Sequence, residues 1–257
     1  MPGAIVWAAA ALLLLMASSS DGAEPKLSLR HLKGGVYLVE DGYYAPENSA
    51  VYVGPEHVTV VGATWTPETA KDLVAQIRKI TSKPIAEVLV PDYHLDRSGG
   101  SAYFRSIGAR VVSTRMTYDL LLAEWEDMIA QARNSPAGYP QLPLVLPDRT
   151  HPGSYELQDG RIRALYLGPA HTPDGVFVYF PEERILFGNC ILKSFLGNLA
   201  SADLAEYPRT LQKLKDLRLD IGTIIAGHGS PLHGPELIDE VLRMLEAHAA
   251  QGTGAQH

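Results

Sequence analysis

A single cysteine, Cys190, occurs in the 257 residues. No disulfide can close within the chain, so its stability has to come from a packed core. Basic clusters are equally scarce. Twenty-two Lys and Arg stand against 29 Asp and Glu, a net charge of −7, and no stretch can track a phosphate backbone, which argues against nucleic acid as a partner. Beyond the N-terminus there is no apolar run long enough to cross a bilayer, and no low-complexity linker divides the chain. The 46% hydrophobic and 20% charged composition fits a soluble globular chain with a sizeable core.

The apolar run Ile5 to Ala17 is too short to span a bilayer comfortably, and the small, polar stretch Ser18 to Ala23 follows it. Residues 1–23 therefore read as a secretory signal peptide, although no Lys or Arg precedes the run; the alternative is an uncleaved anchor. The expectation is a soluble domain over residues 24–257, exported to a bacterial periplasm, with no feature that demands more than a monomer. In an oxidising compartment a lone thiol is a liability unless it is buried or bound to something.

Hydrophobic spacing gives a coarse secondary structure. Strands are expected at Gly35 to Glu40, Ser49 to Val53, His57 to Val61 and Ile85 to Val90, with a helix over Pro67 to Ile80 behind the cap Thr66. A short helix opens at Gly99-Gly100 and runs to Ile107, a strand follows at Arg110 to Ser113, and a long amphipathic helix spans Arg115 to Arg133. The second half reads as short strands at Leu144 to Leu146, Ser154 to Leu157, Arg161 to Tyr166, Val176 to Phe180, Ile185 to Phe187 and Thr223 to Ala226. Helices are expected at Leu204 to Leu217 and Pro235 to Ala250. This β, α, β order predicts a layered α/β architecture with a site at the carboxyl ends of strands.

The segment Pro91 to Gly100 follows one such strand and carries His94 and Asp96 one residue apart. In an extended loop both side chains point to one side. Two ligands do not fill a zinc shell, which takes four N, S or O donors. Three further strand-end turns offer the rest: Gly168 to Gly175 with His171, Gly188 to Ile191 with Cys190, and Ala226 to Ser230 with His228. Four strand-end loops that supply His, Asp, His, Cys and His are hard to explain as core packing.

In their order, Tyr93-His94-x-Asp96-Arg97-x-Gly99-Gly100, Gly168-Pro169-Ala170-His171-Thr172-Pro173-Asp174-Gly175, Gly188-Asn189-Cys190-Ile191-Leu192-Lys193 and Gly227-His228 resemble the class B metallo-β-lactamases. The likeness is to the mono-zinc, carbapenem-restricted subclass B2, and it extends from about Leu29 to about Ala247. It implies a four-layer αβ/βα sandwich with the metal site at one edge, between the two β layers. It implies that Asp96, Cys190 and His228 hold one catalytic Zn²⁺, and that His94 and His171 can capture a second, inhibitory one. Thiolate, carboxylate and imidazole are suitable donors for zinc and leave a fourth position open.

Two positions depart from the family pattern. The wider superfamily has a His-x-His-x-Asp-His loop; here Arg97 replaces the last histidine and Asp92 the first, where the subclass carries Asn. A carboxylate ligates zinc where an amide is a poor ligand, so Asp92 with His94 and His171 can form a real second site. The plainer alternative is that Asp92 only accepts hydrogen bonds from its own loop.

The resemblance implies hydrolysis of the lactam amide of a carbapenem by a water that His94 or Asp96 deprotonates, with Lys193 pairing with the substrate carboxylate, and His171 and Asn198 also touching substrate. A neutral His94 is the better base, since its unperturbed pKa lies near working pH, although Asp96 stays open. Asn198, after Gly197, is equally a common turn residue. Arg97 is expected to neutralise carboxylates around the site, and Trp125 with the rest of Arg115 to Arg133 to roof it, favouring compact substrates. Two rival readings are a thioester or lactone hydrolase on the same fold and a non-catalytic zinc-binding protein. His31, His57, His151, His233 and His248 have no ligand context.

Overall fold

The computed structural model describes residues 26–135 and 138–254; the signal-peptide reading for residues 1–23 lies outside them. Two sheets form the centre. The first contains β1 (Leu27–Lys33), β2 (Val36–Asp41), β3 (Glu47–Val53), β4 (Val58–Val61), β5 (Ile85–Leu89), β6 (Arg110–Thr114) and β7 (Arg149–His151), side by side in chain order. It is antiparallel through β4 and parallel from β4 to β7. The second has the order β13-β12-β11-β10-β9-β8, built from β8 (Tyr155–Leu157), β9 (Ile162–Leu165), β10 (Phe177–Phe180), β11 (Ile185–Phe187), β12 (Thr223–Ile225) and β13 (Leu232–His233).

Strand periodicity assigns each side chain to a layer. Val36, Leu38, Ala50, Val61, Leu89 and Val112 of the first sheet pack against Ile162, Val178, Phe180, Phe187 and Ile225 of the second. Their alternates, among them Val39, Val51, Val60 and Val88, face outward onto Leu73 and Ile77 of α1 (Pro67–Ile80) and Phe104 of α3 (Ser101–Ser106), as the two-residue repeat of a strand requires. Phe177, Leu186 and Ile224 do the same on the far side, beneath α5 (Tyr207–Asp216) and α6 (Leu237–Gly254). The result is the expected αβ/βα sandwich, helix, sheet, sheet, helix, with strands apolar on both faces because both are covered.

Local signals explain the helices that were legible. Thr66 Oγ1 accepts the N–H of Thr69 while Thr69 Oγ1 accepts that of Thr66, and Pro67 takes the first turn of α1, where its missing N–H costs nothing. α4 (Arg115–Arg133) starts on a Thr114 cap and buries Thr117, Leu121, Trp125 and Ile129 at four-residue spacing.

Two expectations change, and three strands were not foreseen. Pro91 to Gly100 is not extended throughout: Leu95–Ser98 forms the one-turn α2, followed by α3 (Ser101–Ser106), so His94 and Asp96 are not presented as alternate residues of a strand. Leu144 to Leu146 pairs with nothing as a strand, because Pro143 and Pro147 bracket it and remove donors a ladder would need. β7 and β13 are too short and polar to show a period, and β1 is an edge strand with several half-exposed or exposed residues.

The turn after α2 depends on backbone contact. Gly100 N donates to Thr64 O and Ala63 N to Arg97 O, at 3.1 and 2.7 Å; a Cβ at Gly100 would lie 2.0 Å from Ala63 O, and one at Gly99 1.9 Å from Trp65 O. Gly100→Ala should therefore destabilise the protein by at least about 1–3 kcal/mol, the usual cost of overpacking a tight site, seen as a lower denaturant midpoint. Gly153→Ala, at a position with nothing within 4 Å, should leave the midpoint nearly unchanged.

Candidate metal centre

The site lies where the carboxyl ends of strands from both sheets meet. α2, after β5, carries Asp96; the helical turn after β11 carries Cys190; the loop after β12 carries His228. Asp96 Oδ2 stands 3.5 Å from Cys190 Sγ and 3.3 Å from His228 Nε2, and Sγ to Nε2 is 3.5 Å. A tetrahedral metal with bonds of about 2.0–2.3 Å separates its donors by about 3.3–3.8 Å. Sulfur, oxygen and nitrogen donors at these separations fit zinc.

Each donor is held from behind. Nδ1 of His228 lies 2.9 Å from Pro46 O. A carbonyl only accepts, so Nδ1 carries the hydrogen and Nε2 is the atom turned to the site. Burial pulls the His228 imidazole down, but hydrogen bonds to Asp96 and Cys190 outweigh it and raise the metal-free ring to about 10. Burial would raise the Asp96 carboxyl; Arg97 and His228 overcome that and hold it far below the usual carboxylate range.

Arg97 is fully buried. Its Nη1 donates to Glu47 Oε2, to Asn48 O at 2.8 Å and to Ser49 Oγ at 3.2 Å; Nη2 donates to Gly227 O at 3.0 Å. Nε lies 3.3 Å from Asp96 Oδ2, and the guanidinium covers the Phe187 ring at 5.4 Å. The carboxylates expected around Arg97 thus include Glu47, which sequence reasoning missed. Its signal was slight: one acidic residue at the start of a strand that is otherwise buried.

A second donor set shares the sulfur. Asp92, His94 and Cys190 each offer one atom within 4.8 Å of the others. Asp92 Oδ1 accepts the His94 N–H at 2.9 Å, as the plainer reading of that residue requires, while its buried Oδ2 has no hydrogen-bond partner. His171 lies outside this set, with its ring 5.7 Å from that of His94 and both nitrogens 3.3–3.4 Å from Lys193 Nζ. Burial and the Lys193 charge push the His171 imidazole down to about 3. For His94, burial acts downward, but Cys190 and Asp92 raise the metal-free ring to about 9, so the unperturbed value assumed from sequence does not hold in the metal-free chain. Asp174, behind Asp92, is raised to about 7 by burial and by the Asp92 charge.

His94, Asp96, His171 and His228 line a cleft of about 900 Å³, whereas Asp92, Cys190 and Asp174 are buried and do not line it. Lys193, buried rather than solvated at the surface, lines it and donates to Cys190 O at 2.8 Å. Asn198 also lines it while its Oδ1 accepts the Ala200 N–H at 2.9 Å, a local turn bond. One wall is α4, but through Glu124, Asp127, Met128, Gln131 and Ala132. Trp125 faces inward, its Nε1 donating to Leu142 O at 3.1 Å, and packs among Tyr93, Leu95, Tyr139 and Leu142. It anchors the wall without being the cleft-facing surface.

Residues 43–228 match the Metallo-beta-lactamase superfamily. The chain belongs to that superfamily. The metallo-beta-lactamase match covers every donor described above. Among similar proteins, a "Metallo-beta-lactamase type 2" of Elizabethkingia meningoseptica is 27% identical over 232 residues, 86% of this chain and 87% of that one. One of the same description from Bacillus sp. (strain 170) is 26% identical over 212 residues, 79% and 76% of the two chains. The crystal structure of the DIM-1 metallo-beta-lactamase superposes with a TM-score of 0.75 at 22% identity, covering 87% of this chain and 99% of that one, which supports the metallo-beta-lactamase fold.

Proposed function

We propose that this protein is a zinc-dependent β-lactamase that opens the lactam amide and prefers carbapenems, using one Zn²⁺ held by Asp96, Cys190 and His228. The observation that carries the reading is the triangle of sulfur, oxygen and nitrogen donors, 3.3–3.5 Å on a side, two of which, Asp96 and His228, line a cleft large enough for a small ligand. The reading includes export as a monomer to the periplasm, for which the support is the composition of residues 1–23.

When bound, Zn²⁺ supplies Lewis-acid stabilisation of the negative charge that develops on the lactam nitrogen as the C–N bond breaks. The remaining work falls to side chains. Lys193 offers its ammonium to the carboxylate of the substrate, and its hydrogen bond to Cys190 O fixes that cation relative to the metal donors. His171, uncharged beside Lys193, adds a polar contact without competing for the same anion. Asn198, on the same segment as Lys193, also lines the cleft.

His94 and Asp96 are the two groups suited to take the proton of the attacking water. Asp96, held far below the carboxylate range, is a poor acceptor; His94 is the stronger base and acts only when neutral. Engagement of the Cys190 sulfur as a ligand withdraws one contact that raises His94, which favours the neutral ring. If His94 and Asp92 held a second cation, His94 would no longer be free to accept the proton, a physical reason for inhibition. The Asp92 Oδ2, buried and unpartnered, supports a tighter second site than an amide would give.

α4 closes one side of the cleft, and this supports a preference for compact substrates, although the volume alone does not require it. Purified protein should hydrolyse a carbapenem, followed by loss of its ultraviolet absorbance, and lose the activity on treatment with a chelator. Cys190→Ser should cost at least about 100-fold, the upper range seen when even the outer support of a metal site is removed; undiminished turnover would overturn the reading. Across substrate classes, kcat/KM should be highest for carbapenems, and equal values for penicillins and cephalosporins would remove the preference while leaving the hydrolysis intact. In a zinc titration of apoprotein, Asp92→Asn should weaken the second equivalent and leave the first unchanged; an unaltered second affinity would confine Asp92 to its loop.

A further inference from the structure

Three consecutive residues at the entry to β3 contact the back of the metal centre, and none of them is a ligand. Pro46 O accepts the His228 Nδ1–H at 2.9 Å. Asn48 N donates to Gly227 O at 2.9 Å, and its Nδ2 donates to Ala226 O and Gly229 O at 2.9 and 3.2 Å. The His228 loop is therefore fastened on both sides of its ligand. Between them, Glu47 receives Arg97 Nη1, and the same guanidinium stands 3.3 Å from the Asp96 oxygen nearest the other donors. Ser49 Oγ donates to both Glu47 oxygens, at 3.1 and 2.8 Å, which fixes the carboxylate. Gly62 leaves room for the Ser49 hydroxyl, since a Cβ there would lie 2.9 Å from Ser49 Oγ.

From this arrangement we infer that Glu47 is a positioning residue for the metal centre: it sets the place of Arg97 and offsets its charge, and through Arg97 it sets the place of the Asp96 donor oxygen. The inference rests on the metal-centre reading above. Stability alone gives Glu47 no clear purpose, because a buried ion pair is often matched or bettered by apolar residues of similar volume. A full positive charge against a metal-binding oxygen is a different matter. Left uncompensated, the guanidinium repels the incoming cation and is free to close on Asp96 in a two-point grip, withdrawing the donor. Glu47 prevents both by drawing Nη1 away and, in its ionised form, by offsetting the charge; burial raises its carboxyl to about 7 and the Arg97 charge opposes that rise. Asn48 and Pro46 hold His228 from the same segment, so one strand entry sets two of the three donors.

The test is zinc affinity of the full chain, measured without substrate by competition with a chromophoric chelator. It is paired with the thiolate-to-metal absorption of the cobalt-substituted protein and with the thermal midpoint of the metal-free form. Glu47→Gln should weaken zinc by about 10–100-fold, the range for loss of an outer support, and alter the cobalt band; Glu47→Asp should fall between it and the parent. A purely structural role would lower the metal-free midpoint and leave affinity and spectrum unmoved, and that result overturns the inference. If Glu47→Gln does not accumulate as folded protein, Glu47→Asp carries the test, and unchanged zinc affinity in it is equally decisive. A parent chain that binds no zinc overturns the metal centre itself, and this inference with it.

Discussion

A guanidinium with no access to water organises this molecule. Arg97 joins the first sheet, through Glu47, Asn48 and Ser49, to the loop of the second sheet at Gly227, and stacks on Phe187 between them. Removing one partner of such a buried pair costs about 3–5 kcal/mol, because the other is left charged in a poor solvent for charge. The sandwich supplies that environment, and the arginine in turn fixes how the strand ends of the two sheets meet. Asp96 arises from an end of the first sheet and Cys190 and His228 from ends of the second, so the distance of Asp96 from the other two follows from this interaction between sheets.

Around it the site is a set of charges kept in balance by position. Asp92, Asp96 and the Cys190 sulfur face His94, His228, Lys193 and Arg97 within a small buried volume. A group raised or lowered there reports its neighbours more than its own chemistry. His94 and His171 illustrate this. Their rings are 5.7 Å apart, yet one is driven up by a thiol and a carboxylate and the other down by burial and an ammonium. Two histidines of one expected role thus have opposite tendencies, and only the three-dimensional arrangement distinguishes them.

Much of the fold was legible because local chemistry and tertiary demand agree. Thr66 and Pro67 announce α1, and its bounds and those of α4 coincide with the hydrophobic repeat. What escaped has physical reasons. β7 and β13 are three and two residues long, too short for any period, and the segment between Pro143 and Pro147 has strand-like side chains on a backbone that cannot pair. The donor residues were visible as motifs at strand ends. Glu47 was not, since its importance comes from a partner 50 positions away, and Trp125 was given a cleft-facing role because a helical period identifies a buried stripe without saying what buries it.

The position of the only thiol has a consequence of its own. Cys190 Sγ belongs to both donor sets, one with Asp96 and His228 and the other with Asp92 and His94. A lone pair committed to one cation is a poorer lone pair for another, and two dications drawn toward one thiolate repel each other across a short gap. Two cations held in both sets at once would share that sulfur and repel each other. A single shared atom would thus limit the filling of both sets together, with no moving part required.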